Sequence, residues 1–112
     1  MKPIIEPALP EHAAQLTEIA ISAKRHWKYP EAWIQHWMPL LTITTEYLAT
    51  HETWMALIED KPVAWYSFDK NEEGLWLDNL WVLPAFMGQG IGRELFLHAL
   101  ERCRSQDIKV LK

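Results

Sequence analysis

Apolar residues in the first half of the chain recur at helical spacing. Between Glu11 and Ala23, after Pro10, the positions Ala13, Leu16, Ala20 and Ala23 share one face of a 3.6-residue repeat and predict a first helix. The pattern breaks at Lys28-Tyr29. Pro30 then stands where a first-turn proline suits a second helix, which puts Trp33, Trp37, Met38 and Leu41 on one stripe. Thr45 is placed to cap a short turn through Tyr47-Leu48. Ahead of both helices, residues 3–8 read as a short extended edge segment, because two prolines suit an edge better than a ladder centre.

After Glu52 the period changes. Trp54 to Ile58 and Val63 to Phe68 are β-favouring runs joined by Glu59-Asp60-Lys61, which predicts a hairpin. Asn71 to Gly74 supplies another turn, Leu75 to Val82 a third strand, and Pro84 ends it. From Gly90 to Cys103 the positions Gly92, Leu95, Phe96, Ala99, Leu100 and Cys103 give the cleanest helical face in the chain. Ile108 to Leu111 reads as one more strand. This order predicts an α/β fold. An antiparallel hairpin and strand lead into a strand–helix–strand unit, expected to be parallel with a right-handed crossover.

Composition narrows the class. The 112 residues fit one domain, 1–112, and 49% hydrophobic with 23% charged residues is the balance of a globular protein. A net charge of −4 argues against coating nucleic-acid phosphates. Residues 1–87 hold 6 basic and 12 acidic side chains, whereas 88–112 hold 5 basic and 3 acidic, so the sign switches at residue 88. A basic last quarter suits an anionic ligand, although five solvated charges are an equally plain reading. The single cysteine, Cys103, excludes an internal disulfide framework and fits a reducing cytoplasm. No stretch has the length of a membrane span, and prolines interrupt the N-terminus where a signal peptide would be continuous, so a cytoplasmic protein without membrane association is expected. The five histidines show no i, i+4 pair and predict no metal site.

The candidate chemistry lies at the charge switch. Three of the four glycines, Gly88, Gly90 and Gly92, fall within five residues between the third strand and the strongest helix. Glycines there let backbone N–H groups turn toward a ligand, and a helix start adds partial positive charge, which makes an anion site suited to phosphate. The spacing is neither G-x-G-x-x-G, since Arg93 takes the third position, nor a nucleoside-triphosphate loop, since no lysine follows. Taken alone, the cluster could also be a tight turn that packs helix on sheet.

The surrounding residues are more specific. Leu80-Trp81-Val82-Leu83-Pro84-Ala85-Phe86-Met87-Gly88-Gln89-Gly90-Ile91-Gly92-Arg93-Glu94-Leu95 resembles motif A of the GNAT superfamily of N-acetyltransferases. Residues Ser22 to Tyr29 also resemble one GNAT subgroup that follows them with a tryptophan-containing helix. The resemblance implies a mixed, mostly antiparallel sheet with flanking helices, and transfer of an acetyl group from acetyl-coenzyme A to a primary amine. It implies that the amides of Met87, Gly88, Gln89, Gly90, Ile91 and Gly92, with Arg93 beside them, hold the coenzyme's pyrophosphate. The strand amides near Leu80, Trp81 and Val82 would hold the pantetheine arm and polarise the thioester. Met87 departs from the usual Arg or Gln, which removes one charge-assisted contact.

Two residues are candidates for taking the amine proton. By strand alternation Trp76, Asp78, Leu80 and Val82 share a face on which Asp78 is the only ionisable group, so it could act as base, or simply pair at a strand end. His26 has a suitable intrinsic pKa and lies with Tyr29 in the bend that covers the acceptor site in GNAT enzymes; a solvent-facing histidine is the plainer alternative. Tyr29 and Trp33 are the candidate acceptor contacts, with Trp33 and Trp37 alternatively core or a dimer face. GNAT domains continue past the strand at Ile108 to Leu111 with another helix and strands, the helix carrying a tyrosine that protonates the leaving thiolate. Here Tyr29, Tyr47 and Tyr66 all precede the glycines. The expectation is therefore a fold lacking its last elements, either a fragment or a short form that pairs as a homodimer through its last strand. The alternative function is a weak or inactive coenzyme-A-binding homodimer.

Overall fold

The computed structural model describes residues 3–26, 29–71 and 74–105. Four strands, β1 (Ile4–Pro7), β2 (Thr53–Ile58), β3 (Lys61–Asn71) and β4 (Gly74–Val82), form one sheet in the order β1-β2-β3-β4. Every pairing is antiparallel. The helices are α1 (Ala13–His26), α2 (Glu31–Leu41), α3 (Thr45–Thr50) and α4 (Ile91–Ser105). The expected α/β fold is present. The predicted strand at Ile108 to Leu111, on which the parallel unit and the pairing of two copies rest, lies outside the described residues.

Local chemistry accounts for most of these elements. Between β2 and β3, Glu59 and Asp60 take φ of 52° and 66°, the mirror-image turn whose twist matches a two-residue hairpin. A 3₁₀ turn at Pro10–His12 precedes α1, whose Ala13, Leu16, Ala20 and Ala23 are all buried as the periodicity requires. The cap of α3 is Thr44, not Thr45: its hydroxyl accepts the Tyr47 N–H at 3.0 Å. The stripe of α2 is also rotated from expectation. Ile34 and Leu41 are buried and Trp37 and Met38 half-buried, while Trp33 is 53% exposed. In α4 the buried set is Ile91, Leu95, Ala99 and Cys103, with Phe96 exposed.

The sheet carries a core on each face. On one, α1 and α3 bring Leu16, Ile19, Ala20 and Leu48 against Met55 and Trp65, whose indole N–H donates to the Leu16 carbonyl at 2.9 Å. On the other, α4 covers Ala56, Ala64, Tyr66 and Phe68. Its far end is pinned by Arg102, which forks onto both Glu52 oxygens at 2.7 and 2.9 Å. His98 Nδ1 meets the Tyr66 hydroxyl at 2.6 Å. Burial here pushes the Tyr66 hydroxyl up and His98 down from their ordinary values.

One irregularity positions the candidate site. Ser67 faces Asn79 and Phe68 faces Leu77, so Asp78 is an extra residue in β4 opposite no partner. The bulge resets the alternation. Leu77, Leu80 and Val82 pack toward α4, while Asp78, Asn79 and Trp81 turn toward α1 and α3. The expectation that Asp78 shares a face with Leu80 and Val82 is therefore corrected.

Candidate functional site

The chain leaves β4 through a 3₁₀ turn at Pro84–Phe86, after which the Met87 N–H donates back to the Pro84 carbonyl at 3.2 Å. Gly88 and Gly90 then take φ of +81° and +83°, where an L side chain is strained. A Cβ at either would meet nothing within 4 Å, so the backbone and not packing requires glycine there. Gly92 differs: its added Cβ would lie 3.5 Å from Val82 Cγ2, marking where helix meets strand. The first helical bond of α4 runs from the Glu94 N–H to the Gly90 carbonyl at 3.0 Å. Ahead of it, the N–H groups of Ile91, Gly92 and Arg93 have no acceptor within the helix. Because the Met87 amide is engaged, the stretch able to receive an anion begins at Gly88. Arg93 is exposed beside it, and the Gln89 amide braces the loop through the Ala85 carbonyl at 3.3 Å.

Among the described residues β4 is a sheet edge. The Leu83 N–H donates inward to the Val63 carbonyl at 2.8 Å, so by ladder alternation the amides of Leu80 and Val82 point outward and that of Trp81 inward. Two outward donors thus run along the strand toward the loop.

The bulge places Asp78 in a network that sequence reading missed. The Tyr47 hydroxyl from α3 donates to Asp78 Oδ2 at 2.5 Å and lies 2.8 Å from Ser67 Oγ. Asn79 Nδ2 donates to the same hydroxyl at 3.2 Å, and the Trp81 indole N–H donates to Asn79 Oδ1 at 3.0 Å. Burial and the Asp78 bond push the Tyr47 hydroxyl up to about 12, so it stays a donor at neutral pH. His51 stacks on the Tyr47 ring at 3.9 Å and its Nε2 lies 3.4 Å from Asp69. The only signal available in the sequence was a tyrosine one turn after a threonine cap, which says nothing of a partner 31 positions away.

His26 ends α1 and is exposed, whereas Asp78 stands on the β4 bulge. Tyr29, Trp33 and Trp37 gather into one aromatic group, Tyr29 edge-on to Trp37 at 5.0 Å and Trp33 at 6.0 Å from Trp37. The Lys24 ammonium sits over Trp37 at 4.4 Å and over Tyr29 at 5.0 Å. A cleft of about 340 Å³ opens between Lys24, Trp37, Leu41 and Trp81. Among the described residues no group of three His, Cys, Asp or Glu could hold a metal, and no helix is long and apolar enough to cross a membrane.

The fold is shared with known proteins. A PaiA N-acetyltransferase from Thermoplasma acidophilum, in complex with coenzyme A, superposes with a TM-score of 0.83 at 18% identity, over 96% of this chain and 76% of that one. A GCN5-related N-acetyltransferase from Ralstonia eutropha gives 0.78 at 16%, over 98% and 82%. A GNAT family acetyltransferase from Brucella melitensis, in complex with acetyl-CoA, gives 0.74 at 19%, over 97% and 73%. At these identities the likeness is one of fold. No curated protein matches the sequence significantly. The profile of the Acetyltransferase (GNAT) family matches residues 15–112, nearly the whole chain, and on that match the protein belongs to the GNAT acetyltransferase family.

Proposed function

We propose that this chain transfers an acetyl group from acetyl-coenzyme A to a primary amine. The observation that carries the reading is the loop at Gly88–Arg93, whose positive-φ glycines and helix-start amides suit a pyrophosphate and continue an edge of outward strand amides. The amides of Gly88 to Arg93, with the Arg93 side chain beside them, hold the phosphates. Those of Leu80 and Val82 hold the pantetheine arm and the thioester carbonyl. The amine nitrogen attacks the carbonyl carbon, and the oxyanion that forms is stabilised by fixed edge N–H donors. Collapse breaks the C–S bond and releases coenzyme A as a thiolate, which takes a proton from solvent. The amine proton passes to Asp78, directly or through water, while Tyr47 holds one carboxylate oxygen. Residues 1–112 act as one acetyltransferase domain, and the single buried thiol, Cys103, suits a reducing compartment such as the cytoplasm.

Thiol release from acetyl-coenzyme A over a panel of primary amines tests this reading. Asp78→Asn should lower kcat/KM by about a hundredfold or more while leaving acetyl-coenzyme A affinity unchanged. Absence of thiol release with every amine overturns the transferase reading. Wild-type rates in Asp78→Asn overturn the role of Asp78.

A further inference from the structure

Among the described residues, the cleft between Lys24, Trp37, Leu41 and Trp81 has three apolar lining side chains and one ammonium. Two ring faces hold that ammonium in place, yet a ring face does not neutralise it. Among the described residues Lys24 has no ion-pair partner. The nearby acid of the first turn of α2, Glu31, is taken by Arg25 at 2.8 Å and by Gln35 at 3.2 Å. The cleft therefore presents a fixed, half-buried positive charge to whatever enters it.

The same cleft adjoins the proposed reaction centre by direct contact. Trp81 lines it, the Trp81 indole N–H is bonded to Asn79, and Asn79 Nδ2 reaches both the Tyr47 hydroxyl and Asp78 Oδ2. A molecule with its amine at Asp78 and its body against Trp81 extends toward Lys24. An uncharged tail gains nothing from that ammonium, and a second ammonium on the molecule is repelled by it. A carboxylate is the complementary group, and in a cleft with apolar walls a charge-assisted contact to it is stronger than in open water. The volume of about 340 Å³ suits a small molecule.

We infer that the acceptor is a small primary amine that also bears a carboxylate, an amino acid in the broad sense, with Lys24 as the residue that selects it. This rests on the acetyl-transfer reading for the role of the bound molecule, but its binding can be measured separately.

The test pairs each carboxylate-bearing amine with its decarboxylated counterpart: phenylalanine with phenethylamine, lysine with cadaverine, 4-aminobutanoate with propylamine. Tryptophan fluorescence follows binding to the coenzyme-A-loaded protein, because Trp37 and Trp81 line the cleft, and thiol release follows turnover. In at least one pair the carboxylate member should bind about tenfold more tightly, with kcat/KM higher by a similar factor. Lys24→Met should abolish that preference, Lys24→Arg should retain it, and neither should change acetyl-coenzyme A affinity. Equal or weaker binding of the carboxylate member in every pair overturns the inference, as does a preference that survives Lys24→Met or binding of neither member. Selective binding without thiol release would leave the inference standing while the transferase reading fell.

Discussion

The glycine loop and the Asp78 network belong to the same stretch of chain, yet they are built from different material. The loop is made of backbone: two residues in positive φ, a helix start, and amides that no helical carbonyl accepts. All of it comes from consecutive residues, 84–94. The network is made of side chains drawn from α3, β3 and β4, separated by up to 32 positions and joined only once the sheet and helices have packed. A backbone site can change its side chains and still present the same donors, whereas a side-chain site depends on each hydroxyl and carboxylate in it.

Substitutions at each region break the comparison in opposite ways. The largest effect should come from Gly90→Asp, which puts a side chain at a φ of +83° and a negative charge in the proposed pyrophosphate site. Acetyl-coenzyme A affinity should fall by about a hundredfold or more in calorimetric titration, and thermal unfolding of the variant reports whether the fold persists. Retained affinity would remove the loop from the site.

Tyr47→Phe should do the reverse. It removes the donor to Asp78 and one of the acceptors of the Asn79 amide, so kcat/KM should drop by about tenfold while acetyl-coenzyme A affinity holds. An unchanged kcat/KM would reduce Tyr47 to a packing residue.

The smallest effect is on stability. The folded state raises the pKa of Tyr47, from 10.0 to about 12, and that of Tyr66 as well. Their contribution is complete below pH 10 and is lost as pH rises past 10. His98, lowered from 6.5, contributes above that value and loses its contribution as pH falls below it. Urea midpoints should therefore be highest between about pH 7 and 9. In Tyr47→Phe the alkaline decline should be shallower and the acid decline unaltered.

The same contrast explains what could be read from the sequence. The helices, the hairpin and the glycine loop are written in short windows, where period, turn residues and motif spacing suffice. Ile34 replaced Trp33 on the buried stripe of α2 because both fit a helical repeat, and only the neighbouring α1 decides which faces inward. The face of Asp78 was misread because alternation assumes a regular pleat, and the bulge depends on the β3–β4 register. Tyr47 gave no usable signal, since its partners lie in strands that begin after its own helix has ended. Lys24 likewise reads as an ordinary helix lysine until Trp37 and Tyr29 are folded against it.

Amide chemical-shift mapping during titration with acetyl-coenzyme A tests the central claim most directly, because the claim concerns backbone N–H groups. The largest shifts should fall on Gly88 through Arg93 and on the outward amides of Leu80 and Val82, with Met87, whose N–H is bonded to the Pro84 carbonyl, and Trp81, whose N–H points inward, moving less. Saturable shifts centred elsewhere, or no shifts at millimolar ligand, would contradict the account.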